Sequence, residues 1–239
     1  MQAKPVVDKF SIEQIVPYFQ PIFDLRMHKV VSYECLARLI TDDENIYLPA
    51  DFLNIVQRSQ SNASLTQRII ELSSAYCVPR RMQCSVNLFP SDLRNANLIN
   101  WMKDLCDDSY DGLVGVELNY ESVKGHAHLL RNLMNKMPSL QITIDDVDSF
   151  EHELIEVIKT GIHAIKLSGN MVTRFAKTGE GKNTIEKIIL QCEVSECMLI
   201  AEHIESDNIL DAVMNLGIQY GQGYSLSEPA GRMSSLKQV

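Results

Sequence analysis

A chain of 239 residues with 45% hydrophobic and 22% charged content is long enough for one barrel-sized core or two smaller ones, and reads as globular and soluble. Its formal net charge of -9 excludes a general nucleic-acid binder, because neutralising a phosphate polymer takes a basic face. The six cysteines stand singly, without Cys-x-x-Cys or zinc-finger spacing, and read as reduced, buried thiols; with no long apolar run and no signal-peptide pattern in MQAKPVVDKF, the expectation is a cytoplasmic protein without a membrane segment.

In chain order, short apolar or β-branched runs predict strands at Pro17–Phe23 and Val30–Leu36, joined through LRMHK with no helix between them. A helical stretch follows over Asp51–Cys77, then a strand at Cys84–Leu88 and a helix over Ser91–Cys106. Next come a strand at Val114–Leu118, a helix over His126–Met137, a strand at Ile142–Asp145 and a helix over Glu151–Thr160. A strand at Ala164–Leu167 precedes TGEGK (Thr178–Lys182), a glycine-bearing loop that lacks P-loop spacing. The chain continues with a helix over Asn183–Glu193, a strand at Met198–Glu202, a helix over Asn208–Leu216 and a strand at Gln219–Tyr224. Eight strands separated mostly by helices predict an α/β fold, a modified (β/α)8 TIM-type barrel with an irregular, antiparallel strand near the start. With no interior linker or repeat, residues 1–239 read as a single domain.

Barrels of this kind carry their chemistry at the carboxyl ends of the strands. Each predicted strand offers a polar residue there: Gln20, Glu34, Asn87, Glu117, Asp145 with Asp146, Lys166, Glu202 and Gln222. Singly they have ordinary explanations, since paired aspartates before a helix can be an N-cap, Asn87 can cap the helix after Pro90, and Lys166 can snorkel. Together on one rim, the carboxylates would repel one another unless divalent cations neutralised them. An all-oxygen ligand set suits magnesium or manganese better than zinc. Two such ions can activate water and stabilise the leaving oxygen of a phosphodiester, so the reaction class suggested is metal-assisted phosphodiester hydrolysis.

The runs YFQPIFDL, SYECLAR, SVNL, VELN, IDD, IKLS, AEHIES and QGYSLSEP, in this order and spacing, resemble the EAL-domain family of cyclic di-GMP phosphodiesterases from about Val16 to Pro229, with Cys35 in place of the usual Ala of the signature. The resemblance implies a core over about 16–229 and a site that binds cyclic di-GMP. It implies that Glu34, Asn87, Glu117 and Asp145 hold one cation, and that Asp145, Asp146 and Glu202 hold a second, as Mg2+ or Mn2+ with Ca2+ inhibitory. Lys166 resembles the lysine that contacts the attacking water, and Gln222 the glutamine supporting the metal-water network; with Glu34 and Glu202 they form the implied catalytic set. Arg38 resembles the arginine that grips a substrate phosphate, Glu205 the acid lining the substrate pocket, and Gln20 part of the binding wall, with Asp146 also facing substrate.

The sequence departs from that pattern after the paired aspartates, where Val147-Asp148-Ser149-Phe150 replaces the usual Phe-Gly-Thr-Gly loop. Asn119-Tyr120 replaces Thr-Glu, whose glutamate is associated with anchoring the same loop; Glu121 stands one residue further on, where its direction differs. Ser168 replaces an aspartate and His203 a glycine, the latter read as a solvent-facing bystander. Because this loop usually contributes to dimer contacts, a homodimer is not the favoured expectation. The favoured function is hydrolysis of cyclic di-GMP to linear pGpG, lowering a bacterial second messenger. The alternative is a catalytically impaired domain that acts as a cyclic di-GMP receptor or protein-interaction module.

Overall fold

The computed structural model describes residues 10–108 and 112–233. β1 (Ile15–Asp24) turns through residues 25–28 into β2 (Lys29–Ile40), and the two pair antiparallel with Gln20 opposite Glu34. A two-residue β3 (Ile46–Tyr47), which sequence pattern is too short to reveal, adds to the far end of β2. After α1 (Pro49–Arg58) and α2 (Asn62–Cys77), β4 (Cys84–Asn87) pairs parallel with β2. The sheet then grows in parallel, with α3 (Ala96–Asp108) leading to β5 (Val114–Asn119), and α4 (Tyr120–Val123) and α5 (Ala127–Lys136) leading to β6 (Ile142–Val147). α6 (His152–Ile158) precedes β7 (Ala164–Leu167), α7 (Gly169–Thr178) and α8 (Lys182–Val194) precede β8 (Met198–Ala201), and α9 (Asp207–Asn215) precedes β9 (Tyr220–Gly221). β9 pairs antiparallel with β1, so all strands but β3 close into the expected barrel with its antiparallel start. Among the described residues no helix is long and apolar enough to cross a membrane.

Three expectations are corrected in detail. The helix predicted over Asp51–Cys77 is two helices, because Ser59 Oγ donates to the Ile55 and Val56 carbonyls at 2.9 and 3.1 Å and Gln60 adopts a φ of 55°, ending α1. Helix α7 lies where no helix is predicted; its Gly169-Asn170 start reads as a turn, yet Ser168 Oγ accepts from the Met171 N–H and caps it. The last strand is far shorter than Gln219–Tyr224. Gly223 passes so close to the Ile204 backbone that a Cβ would stand 2.2 Å from its oxygen, and the chain leaves the sheet there.

The strands from β4 onward are short and mostly apolar, as strands covered on both faces must be. Their outward side chains, such as Val86, Val116 and Ile144, join helix residues such as Ile69, Leu130 and Leu154 in one continuous core. Inside the barrel the layers differ: Ile22, Ala164 and Ile200 form a small apolar floor. Two residues further along their strands, or two back along the antiparallel β1, stand Lys166, Glu202 and Gln20. The period of two in a strand therefore places a polar layer directly above an apolar one.

Candidate active site

Lys166 is the centre of that polar layer and has no exposed surface. Its ammonium meets Glu34 Oε2 at 2.6 Å, Glu117 Oε2 at 2.9 Å and Glu202 Oε1 at 2.9 Å, carboxylates brought from the middle of β2, from β5 and from the end of β8. Amides close the ring: Gln222 Nε2 donates to Glu34 Oε2 at 2.8 Å and to Glu202 Oε1 at 3.2 Å, and Asn87 Nδ2 donates to Glu34 Oε1 at 3.1 Å. Asn87 is thus tied across to β2 instead of capping the next helix, and Lys166 is fully enclosed instead of snorkelling. Ser85, which sequence reasoning passed over, donates from Oγ to Glu117. It lies two residues before Asn87 on the same inward face, and that spacing is the signal that could have found it.

The charges are unbalanced. Burial favours the neutral amine of Lys166, but the surrounding Glu117, Glu202, Glu34 and Asp145 outweigh it and hold its pKa well above the ordinary lysine value. Glu34 is pushed up by burial, yet the Lys166 charge and the hydrogen bonds from Gln222, Lys166 and Asn87 bring it below the usual carboxylate range. The one cation cannot serve every acid. Burial and the Glu34 charge push Glu117 up to about 8, and burial with Asp145 and Glu34 pushes Glu202 up to about 7 against the pull of Lys166. Asp145 is likewise raised, by burial and by Glu34, despite Lys166.

The paired aspartates lie where the β6–β7 register breaks between Ile144 and Val147. Asp146 takes a φ of 60°, a left-handed conformation that aspartate tolerates better than most residues. In a regular strand, neighbours point to opposite faces; the irregularity lets both aspartates remain at the rim. Asp145, partly buried, accepts the Asp146 N–H at 2.7 Å and feels the Glu34 and Lys166 charges, while Asp146 is exposed and receives Asn119 Nδ2 at 3.3 Å. Asn119 also accepts the Glu121 N–H at the start of α4, so one side chain both caps a helix and holds an aspartate.

Of the residues matched to substrate binding, Gln20 and Arg38 are buried on the face of the β1–β2 hairpin that carries Glu34. Arg38 donates to the Ala37 carbonyl at 2.9 Å and lies 5.6 Å over the Tyr18 ring. Glu205 is exposed in the segment before α9, apart from the buried ring. A cavity of about 660 Å³ opens beside Glu34, Asn87 and Asn119, walled by Leu36, Pro49 and Phe89.

The loop that departs from the family pattern is held by other contacts. Lys124 ion-pairs with Glu151 at 2.6 Å, and Ser149 Oγ donates to Glu151 Oε1 at 3.1 Å, tying the far side of the loop to the end of α4. Glu121 is exposed and meets Lys124 at 3.8 Å. Tyr120 is buried, with a hydroxyl that has no hydrogen-bond partner. Ser168 caps α7, a role aspartate can also fill. His203 is exposed at a φ of 55°, which explains why glycine suits that position, and its ring packs on Gly169.

This donor set fits divalent cations. All its candidate ligand atoms are oxygens, its acids outnumber its one lysine, and Gln222 Oε1 is buried without a partner, an acceptor available to a cation or its water.

The model of the EAL domain family matches residues 5–229. Cyclic di-GMP phosphodiesterase PdeF of Escherichia coli (strain K12) is 22% identical over 233 residues, covering 92% of this chain and 30% of that protein. The chain spans only 26–30% of the length of the first curated relatives it matches. The FimX EAL domain from Pseudomonas aeruginosa, solved bound to c-di-GMP, has a TM-score of 0.81 at 19% identity over 93% of each chain. The Bacillus subtilis YkuI protein, which has an EAL domain and was solved with c-di-GMP and calcium, has a TM-score of 0.77 at 18% identity over 98% of this chain and 60% of that one.

Proposed function

The chain belongs to the EAL domain family, and on that premise we propose that it is a metal-dependent phosphodiesterase that hydrolyses cyclic di-GMP to linear pGpG. The observation that carries this reading is the ring of Glu34, Glu117 and Glu202 gathered within 2.9 Å of a fully buried Lys166, with Asn87, Asp145 and Gln222 around it. Such a concentration of acid in a barrel interior is costly without a cationic occupant, so its persistence favours metal binding.

Glu34, Asn87, Glu117 and Asp145 would hold one Mg2+ or Mn2+ ion, and Asp145, Asp146 and Glu202 the other. When bound, the ions supply an activated water at neutral pH and offset the charge that develops on the phosphodiester. The chain's own contribution is positioning. Gln222 fixes the facing oxygens of Glu34 and Glu202, and Lys166, kept protonated by its carboxylates, would turn one N–H from a carboxylate to the attacking water. Arg38 supplies the fork that pairs with a phosphate, with Gln20 beside it. Glu205 lines the outer rim. The adjoining cavity of about 660 Å³ is within the range of small-molecule sites.

The test is to follow linear dinucleotide by chromatography with Mg2+, Mn2+ or Ca2+ present, beside Glu34→Ala. Product with Mg2+ and Mn2+, little with the larger and less strictly coordinated Ca2+, and a loss of about 10³-fold in Glu34→Ala are expected. Turnover that survives Glu34→Ala contradicts the assignment. The altered loop favours one other reading, a receptor that binds cyclic di-GMP intact; tight binding without product under every cation would establish it.

A further inference from the structure

Behind the acid ring, on the outer face of the barrel wall, three cysteines scattered in sequence come together. Cys35 follows Glu34 on β2 and points the opposite way, Cys84 opens the neighbouring β4 opposite Tyr33, and Cys77 ends α2, which packs over both strands. Their three sulfurs lie within 4.8 Å of one another, and all three residues are buried. Among the described residues this is the only group of three or more His, Cys, Asp or Glu side chains whose ligand atoms converge so closely.

We propose that Cys35, Cys77 and Cys84 form a binding site for a thiophilic closed-shell cation, Zn2+ or Cu+. Metal–sulfur bonds of about 2.3 Å put the sulfurs about 4 Å apart, so the thiols need only contract slightly around an ion; Cu+ can be held by the three sulfurs alone, and Zn2+ would take a water as its fourth ligand. Soft sulfur donors select these ions over the magnesium and manganese expected a few residues away, which keeps the two sites chemically distinct. A second observation concerns hydrogen-bond donors. Ser73 and Ser74 precede Cys77 by one turn of α2, on its side of the helix, and both hydroxyls are buried without a partner. Buried hydroxyls normally find acceptors; thiolate sulfurs bound to a cation would provide them. Each thiol that binds releases its S–H proton to solvent, and no oxidant takes part. Cys35 also lines the cavity of about 660 Å³ beside Glu34, the side from which an ion would enter.

The ion would brace β2, β4 and α2 together at the point where β2 carries Glu34 and β4 carries Asn87. The proposal is independent of catalysis and is tested without it. Chelator-treated, reduced protein is titrated with Zn2+, with Cu+ under anaerobic conditions, and with Co2+ as an optical probe, each against a competing chelator. The expected result is one equivalent of Zn2+ or Cu+ per chain, with sulfur-to-cobalt charge-transfer absorption in the Co2+ sample. Cys77→Ala and Cys84→Ala should each weaken binding at least tenfold, whereas Glu34→Ala should retain it. Failure of the unmutated protein to take up either Zn2+ or Cu+ overturns the proposal whether or not the variants fold. So does full binding in Cys84→Ala, and so does the loss of two of these thiols as a disulfide in place of metal uptake.

Discussion

The two halves of the acid ring are held in different ways. On the side of β2, β4, β5 and β7, Glu34, Glu117 and Lys166 are buried and each makes several charge-assisted contacts; Glu34 alone accepts from Lys166, Gln222 and Asn87. On the side of β6, Asp146 is exposed, its backbone is left-handed, and its side chain is held by a 3.3 Å bond from Asn119. The first half is over-determined, because moving any member strands a buried charge. The second depends on one side-chain contact from Asn119 beside an unusual loop, so the proposed activity rests on its weaker half.

That contrast can be broken by removing the loop's supports. Asn119→Ser keeps a helix-capping oxygen but cannot extend an amide donor to Asp146, and about a 10- to 100-fold loss of Mn2+ affinity or turnover is expected, with thermal stability little changed. A variant with unaltered Mn2+ dependence would show that the β6 side needs no such tether. Lys124→Ala removes the partly exposed ion pair to Glu151; since solvent screens such pairs, turnover should fall only a few-fold. Pairing it with Glu151→Ala in a double-mutant cycle reads the coupling directly.

The buried half makes its own prediction in metal-free protein. Glu117 and Glu202 bind protons in the folded state up to about pH 8 and 7, but their unfolded counterparts lose them near the ordinary glutamate value of 4.5. The folded form therefore holds more protons than the unfolded chain between those limits, and stability must fall as pH rises through that window. Lys166, raised above its ordinary value, keeps its stabilising charge throughout. Chelator-treated protein should melt several degrees lower at pH 8 than at pH 6, by ~1 kcal/mol or more of linkage, and Mg2+ or Mn2+ should raise the melting point more at pH 8. A flat profile without metal would mean that the carboxylates are not crowded as described. The smallest effect belongs to Tyr120→Phe. Its hydroxyl has no partner to lose, so the melting temperature should stay the same or rise slightly.

Much of this architecture was legible in the sequence. The strand positions follow from apolar runs such as VGVEL and AIKL, and the inward acids from their place at those runs' ends. What stayed hidden depends on contacts between residues far apart in the chain. Ser85 reaching Glu117, Asn119 reaching Asp146 and Lys124 reaching Glu151 leave no periodic trace. From sequence the loop changes read as a coupled loss or a replacement; the structure shows different side chains tying the same segment. Nor could spacing show that three of six scattered cysteines meet at one point.

The most direct test of the central claim is a single-turnover experiment, with enzyme in excess over cyclic di-GMP and Mn2+ present, so that even a slow site reveals its chemistry. Conversion of all bound cyclic di-GMP to linear dinucleotide is predicted, showing that the rebuilt β6 side still completes the site. Quantitative recovery of intact cyclic di-GMP from a saturated complex would contradict it.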